Sequence, residues 1–230
     1  MQCLRPRAFS LAVRWLRAIA KAIEVGERIA LIDYGAGNLR SVANALRAAG
    51  AAGVIVTSNP AIVAAADRIV LPGVGAFAHC RDALAQVEGL VEALNQRVRR
   101  DGVPFLGICV GMQLLADVGE EHGQHQGLGW IPGTVRMMRP ADPEAKVPHM
   151  GWNDVRPVNP HPLIVPGEAY FLHSFHMEAA DPADVIAISD HGGPIVAAVA
   201  RNNVAGVQYH PEKSQAYGIA TIERFLAWRP

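Results

Sequence analysis

Four short apolar runs in the first half of the chain restrict its fold more than any other feature. They are residues 28–33 (RIALID), 53–57 (GVIVT), 68–71 (RIVL) and 103–108 (VPFLGI). Strands covered on both faces read as continuous apolar runs of this kind, and parallel neighbours need a long, right-handed crossover between them. Helical patterns occupy two of the gaps. Asn38 precedes Leu39, Val42, Ala43 and Leu46, a pattern that Gly50 stops, so Asn38 is expected to cap a helix. Residues 76–100 read as one long helix before the fourth run. The expected class is α/β, with a mostly parallel central sheet and helices on both faces.

Past Gly127 the rhythm changes. Residues 130–138, 152–155, 169–173, 185–189, 195–200 and 204–208 are short, strand-like and bounded by Pro or Gly, which predicts an antiparallel extension of the sheet. Residues 216–228 close the chain as a helix.

Charge and cysteine usage exclude several classes of function. The chain has 230 residues, no formal net charge and a pI near 7.1, so nothing in its field calls for nucleic acid or an acidic membrane surface. Every apolar run falls short of the ~20 residues that cross a bilayer. Cys3, Cys80 and Cys109 are odd in number and form no CxxC pair, which fits a reducing cytoplasm better than a disulfide scaffold or a zinc site. Residues 1–26 stand apart. They hold Arg5, Arg7, Arg14, Arg17 and Lys21 with Glu24 as the one acid, and Phe9, Val13, Leu16, Ala20 and Ile23 recur at helical spacing. We read them as a basic extension of unknown role, whether dispensable, packed on the domain or used in targeting, and residues 27–230 as the functional domain.

The chemistry concentrates in three places. In Gly107-Ile-Cys109-Val-Gly111 an apolar strand runs into a G-x-C-x-G turn and then a helical pattern, the form of a nucleophile elbow that lifts its apex side chain out of the sheet. Alone, Cys109 is equally a core thiol. A nucleophilic thiol needs a base that is itself held, and Gly206-Val-Gln-Tyr-His210-Pro-Glu212 supplies one at the end of the last strand, with Glu212 placed to orient the His210 imidazole. Both ends fall on the carboxyl edge of the sheet, where open α/β folds place their sites. The third place is Pro72-Gly73-Val74-Gly75, again after a strand, whose backbone N–H groups could stabilise an oxyanion. It has neither dinucleotide spacing nor a following Gly-Lys-Ser/Thr.

Taken in order, PGVG, GICVGMQLL and HPE resemble the class I, or triad, glutamine amidotransferases. Within them IDYGAGNL (32–39), GLG (127–129) and PHMGWN (148–153) are similar to the glutaminase subunits of imidazole glycerol phosphate synthase, over residues 28–228. The resemblance implies that Cys109 attacks the glutamine carboxamide, that His210 protonates the leaving ammonia and that Glu212 supports it. It implies an oxyanion hole from Gly73, Val74 and Val110, and glutamine contacts from Gly75, Gln113, Ser174 and Phe175. It also implies that ammonia passes to a separate (β/α)8 cyclase subunit, HisF, in histidine biosynthesis, with Asn38, His149, Trp152, Asn153 and Lys213 facing that partner. No cofactor and no metal are called for. The readings left open are an amidotransferase serving another acceptor, a catalytically silent regulatory subunit, and a hydrolase that uses the same elbow without a partner.

Other residues invite weaker readings. His122 and His125 lie in a Gly-containing loop with no remote ligand at metal spacing, and Cys80 beside His79 reads as a buried helix thiol. Trp130, Trp152, Met137 and Met138 are expected to pack a core or an interface rather than a cofactor.

Overall fold

A computed structural model describes residues 26–230; the basic extension read from the sequence lies outside the described residues. The chain follows the order β1 (Arg28–Ile32), α1 (Leu39–Ala48), β2 (Gly53–Thr57), α2 (Pro60–Ala64), β3 (Arg68–Gly73), α3 (Phe77–Gln86), α4 (Leu90–Leu94), a π-helical turn (Asn95–Arg100), β4 (Phe105–Cys109) and α5 (Val110–Gln113). Then come β5 (Val118–Gly119), β6 (His125–Gln126), β7 (Gly133–Met137), β8 (His149–Pro157), β9 (Gly167–His173), β10 (Phe175–Ala179), β11 (Val185–Asp190), β12 (Pro194–Arg201), β13 (Val204–Val207) and α6 (Gln215–Ala227).

Nine strands form one sheet in the order β2-β1-β3-β4-β13-β12-β11-β8-β9. The first five pair in parallel and the last four in antiparallel fashion. The mixed α/β class and its antiparallel extension are therefore as the sequence predicts. The parallel strands are the apolar runs: every residue of β3 and β4 is buried, because helices cover both faces there. A smaller sheet, β10-β7-β5-β6, stands beside the large one.

The expected helix over residues 76–100 is not continuous. It breaks at Val87, which is extended, and at Gly89, whose φ of 73° is left-handed and open to glycine without steric cost. The long apolar periodicity survives the break because Leu84, Leu90, Leu94 and Val98 all remain buried. Asn38 occupies the N-cap position of α1 as expected, but with ψ at 64° its side chain makes no capping bond. The strands β5, β6 and β10 lack a legible signal, since the first two have only two residues each.

One buried charge ties the ends of the domain together. Arg68 is 1% exposed, and its guanidinium donates to Glu27 Oε2 at 2.8 Å and to the carbonyls of Phe225 and Trp228 at 2.8 and 2.9 Å. The last carbonyls of a helix have no internal partner. Arg68 fills that need and holds α6 against the amino end of β3.

Candidate active site

The carboxyl ends of β3, β4 and β13 meet at one rim. In the ladder, Gly73 at the end of β3 is the register partner of Cys109 at the end of β4, and β13 flanks β4 on its other side, leading into His210. Cys109 has φ 54° and ψ −111°, a region that non-glycine residues avoid at a cost of about 1–3 kcal/mol. The strand and the short helix α5 impose it from either side. Neighbouring glycines make the turn possible: a Cβ on Gly111 would stand 1.9 Å from the Leu71 carbonyl oxygen, and one on Gly107 would stand 2.5 Å from that of Gly111. A Cβ on Gly73 would press on the Gly111 nitrogen at 2.7 Å, so the PGVG loop and the elbow touch backbone to backbone.

His210 is 2% exposed and firmly placed. Its N–H donates to the Tyr170 carbonyl at 2.9 Å, and its carbonyl accepts from Ser214 Oγ, which in turn accepts from the Tyr170 N–H. Gly218 of α6 lets the helix lie on this turn, since a Cβ there would meet the Pro211 carbonyl oxygen at 1.9 Å. The imidazole Nδ1 lies 2.9 Å from Glu212 Oε1, a contact in which both side chains are almost fully buried. A carboxylate can only accept, so Nδ1 carries the proton and Nε2 is left for the cleft. Burial opposes the imidazolium, but the Cys109 sulfur and the Glu212 carboxylate outweigh it and raise His210 to about 9. The thiol, the imidazole and the carboxylate named from sequence thus meet at one site, His210 paired with Glu212 and sharing a cleft with Cys109.

They open on a cleft of about 200 Å³ whose walls include Val74, Gly75, Val110, Gln113, Ser174 and Phe175, besides Cys109 and His210. Of the expected oxyanion group, Gly73 sits beside Cys109 in the ladder, while Val74 and Val110 line the cleft. Gln113 donates to the Phe175 carbonyl at 2.8 Å and to Gln208 Oε1 at 3.1 Å, and Gln208 Nε2 stands 3.7 Å from the Cys109 sulfur. The inner side of the PGVG loop is also held, by Tyr34 Oη on the Pro72 carbonyl at 2.8 Å and Cys80 Sγ on the Val74 carbonyl at 3.3 Å. Cys80 is buried on α3 as expected, and burial pushes its thiol up to about 11.

Sequence reasoning overlooked Glu121, Leu172 and Gln208. Glu121 lines the cleft and accepts from the Phe77 N–H at 2.7 Å, yet it lies in a loop with no motif around it. Gln208 stands two residues before His210 on a buried strand end, where a polar side chain with no exposure could have drawn notice.

The residues assigned to a partner face divide in two. Alternation along β8 turns Met150 and Trp152 outward, 65% and 47% exposed, and His149 inward at 3%. His149, expected at the interface, is thus a buried residue, stacked on Phe171 and His191. Asn153 is half-buried and spends its amide on His149 and the Asp190 carbonyl. Lys213 is exposed, its ammonium 5.9 Å from the Tyr170 ring centroid, and Asn38 is half-buried. Met150 and Trp152 pair across the ladder with Leu172 and Tyr170, which makes one apolar patch that reaches the cleft at Leu172.

Comparison with known proteins agrees with this geometry. The family model "Glutamine amidotransferase class-I" matches residues 30–227. The chain belongs to this family. The amidotransferase is 58% identical to the imidazole glycerol phosphate synthase subunit HisH of Zymomonas mobilis, over 90% of this chain and 99% of that one. It is 53% identical to the HisH of Rhodospirillum rubrum, over 88% and 100% of the two chains. Among such relatives it is a member of the HisH group. Solved folds agree: a crystal structure titled glutamine amidotransferase superposes with a TM-score of 0.66 at 16% identity, covering 86% of this chain and 98% of that one. PurLQS of Thermotoga maritima gives 0.63 at 20% identity, with 88% and 97% covered. Among the described residues of the amidotransferase, no helix is long and apolar enough to cross a membrane.

Proposed function

We propose that this amidotransferase is the glutaminase subunit of imidazole glycerol phosphate synthase, and that Cys109, His210 and Glu212 carry its reaction. The Cys109 thiol gives its proton to His210 Nε2, its sulfur attacks the glutamine carboxamide carbon, and the carbonyl oxygen takes the negative charge toward the backbone of Gly73, Val74 and Val110. His210 gives its Nε2 proton to the departing nitrogen, the C–N bond breaks, and ammonia leaves a thioester on Cys109. Water then adds to the thioester carbon, giving its proton to His210, and glutamate departs as the thiol is restored. Glu212 holds the imidazole in the productive tautomer and stabilises its charged form throughout.

The observation that carries this reading is the buried Glu212–His210 pair sharing one cleft with a sulfur on a strained elbow. Gly75, Gln113, Ser174 and Phe175, which line the cleft, hold the substrate, and Glu121 adds a carboxylate suited to its ammonium group. The ammonia acceptor is a (β/α)8 cyclase subunit, HisF, seated over the patch of Met150, Trp152, Tyr170 and Leu172 beside the cleft mouth. An apolar patch at the point where product emerges favours such a docked partner over a free-standing hydrolase. Lys213 lies next to it. Free thiols at Cys80 and Cys109 suit a cytoplasmic setting.

The test is to measure imidazole glycerol phosphate formation by the reconstituted pair, with glutamine or ammonium as nitrogen source. Cys109→Ala should abolish the glutamine-dependent rate and leave the ammonium-dependent rate intact. Glutamine turnover that survives in Cys109→Ala, or failure of the chain to bind the cyclase, would overturn the proposal. Glutaminase activity of the isolated chain should be low and rise on assembly, because an unguarded site would waste glutamine.

A further inference from the structure

Gln113 faces the cleft with both amide protons already in use. One lies on the Phe175 carbonyl at 2.8 Å and the other on Gln208 Oε1 at 3.1 Å. A carbonyl oxygen can only accept, so Phe175 dictates which way the Gln113 amide is turned and leaves its oxygen free for a ligand. Gln208 is oriented in turn, presenting its nitrogen to the Cys109 sulfur.

Two histidines outside the triad stand behind that carbonyl. His173 Nδ1 lies 2.9 Å from Phe175 O, and His173 Nε2 lies 3.2 Å from His149 Nδ1. His149 Nε2 lies 3.1 Å from Asn153 Nδ2. Burial pushes the imidazoles down, His149 to about 4 and His173 to about 3, so each holds a single proton at neutral pH. Only one arrangement then satisfies every contact. His173 donates through Nδ1 to the carbonyl, His149 donates through Nδ1 to His173 Nε2, and Asn153 donates to His149 Nε2. Stacking of His149 between Phe171 and His191, with ring centroids 4.6 and 4.2 Å away, fixes its ring plane.

We propose that His149 and His173 are positioning residues for glutamine: their one-way hydrogen-bond chain aims the Phe175 carbonyl so that the Gln113 amide oxygen faces the substrate. The inference rests on the glutaminase reading and adds two residues to it, His173 in the wall of the cleft and His149 behind it, that act through Phe175 and Gln113. His173 is the essential link. His149 fixes the tautomer of His173, so its loss lets the proton move to Nε2 and turns a bare nitrogen toward the carbonyl.

The test is steady-state glutaminase kinetics of the assembled synthase with His173→Phe, His173→Asn, Gln113→Ala and the His173→Phe/Gln113→Ala pair. His173→Phe should raise the KM for glutamine on the order of tenfold and leave kcat within about twofold, as loss of ground-state and transition-state binding together requires. His173→Asn, whose amide can stand in for the Nδ1–H, should recover most of that loss. The double variant should be no worse than Gln113→Ala alone, because both changes cut one chain. Ammonium-dependent activity reports folding and assembly independently. Nitrogen NMR of the wild-type chain should show Nδ1 protonated and Nε2 bare in both histidines at neutral pH, and this measurement decides the matter if His173→Phe does not fold. An Nε2-protonated His173, or a His173→Phe variant with wild-type KM while Gln113→Ala raises it, would overturn the inference alone. A wild-type assembly that turns over ammonium but no glutamine would overturn the glutaminase reading and this inference with it.

Discussion

Glu212→Gln isolates the electrostatic part of the triad while keeping its shape. In the wild type His210 is raised to about 9 from an ordinary 6.5, against the opposing effect of burial. A gap of that size corresponds to about 3 kcal/mol of folding stability by linkage. The folded-state value lies above the unfolded one, so the contribution is fully present below the unfolded value and disappears as pH rises through about 9. A glutamine at 212 can still accept the Nδ1–H, so the tautomer is kept, but a charge-assisted bond becomes a neutral one. That exchange is worth about 1–2 kcal/mol. The proton affinity of His210 should therefore fall about tenfold, and kcat for glutamine should fall about tenfold as well, since the imidazolium of the attack step loses its counter-charge. The assay is an imidazole NMR titration of both proteins with urea unfolding followed across pH. The stability gap between wild type and variant should be at its full size below about pH 6.5 and close as pH rises through about 9. A titration midpoint that does not move, or a gap that widens as pH rises, would refute the electrostatic account of His210.

Gly111→Ala should destabilise the fold by about 3 kcal/mol or more, because the new methyl cannot coexist with the Leu71 carbonyl oxygen 1.9 Å away; in a domain of this size that is a fall of roughly 6–12 °C in Tm by calorimetry. Arg68→Met should cost about 3–5 kcal/mol in denaturant unfolding, since it removes the buried guanidinium that joins Glu27 to the carbonyls of Phe225 and Trp228. Glutamine kinetics of the surviving Arg68→Met protein should match the wild type, because Arg68 stands at the amino end of β3 and the cleft at its carboxyl end.

The local chain alone determined a good part of this protein. Continuous apolar runs announce strands covered on both faces, and β1, β3 and β4 are buried where those runs fall, whereas the run at β2 forms the sheet edge with Ile55 and Val56 exposed. G-x-C-x-G announces the elbow because only glycine fits where backbone meets backbone, a local steric fact that the close approach of Gly111 to Leu71 embodies. Cys109, His210 and Glu212 were legible for the same reason: each stands in a short motif whose residue types and order carry chemistry.

Tertiary structure decided what depends on neighbours far along the chain. His149 and Trp152 belong to one motif and look alike as surface candidates, yet pairing of β8 with β9 sends Trp152 outward and His149 into the interior. Glu121 enters the cleft from a loop without pattern. The hydrogen bonds from Asn153 through His149 and His173 to Phe175 link residues up to 24 positions apart through rings that burial keeps neutral and whose tautomers their partners fix. A sequence states which side chains can donate or accept; only the folded geometry sets which partner each one meets and how much water remains to compete for it.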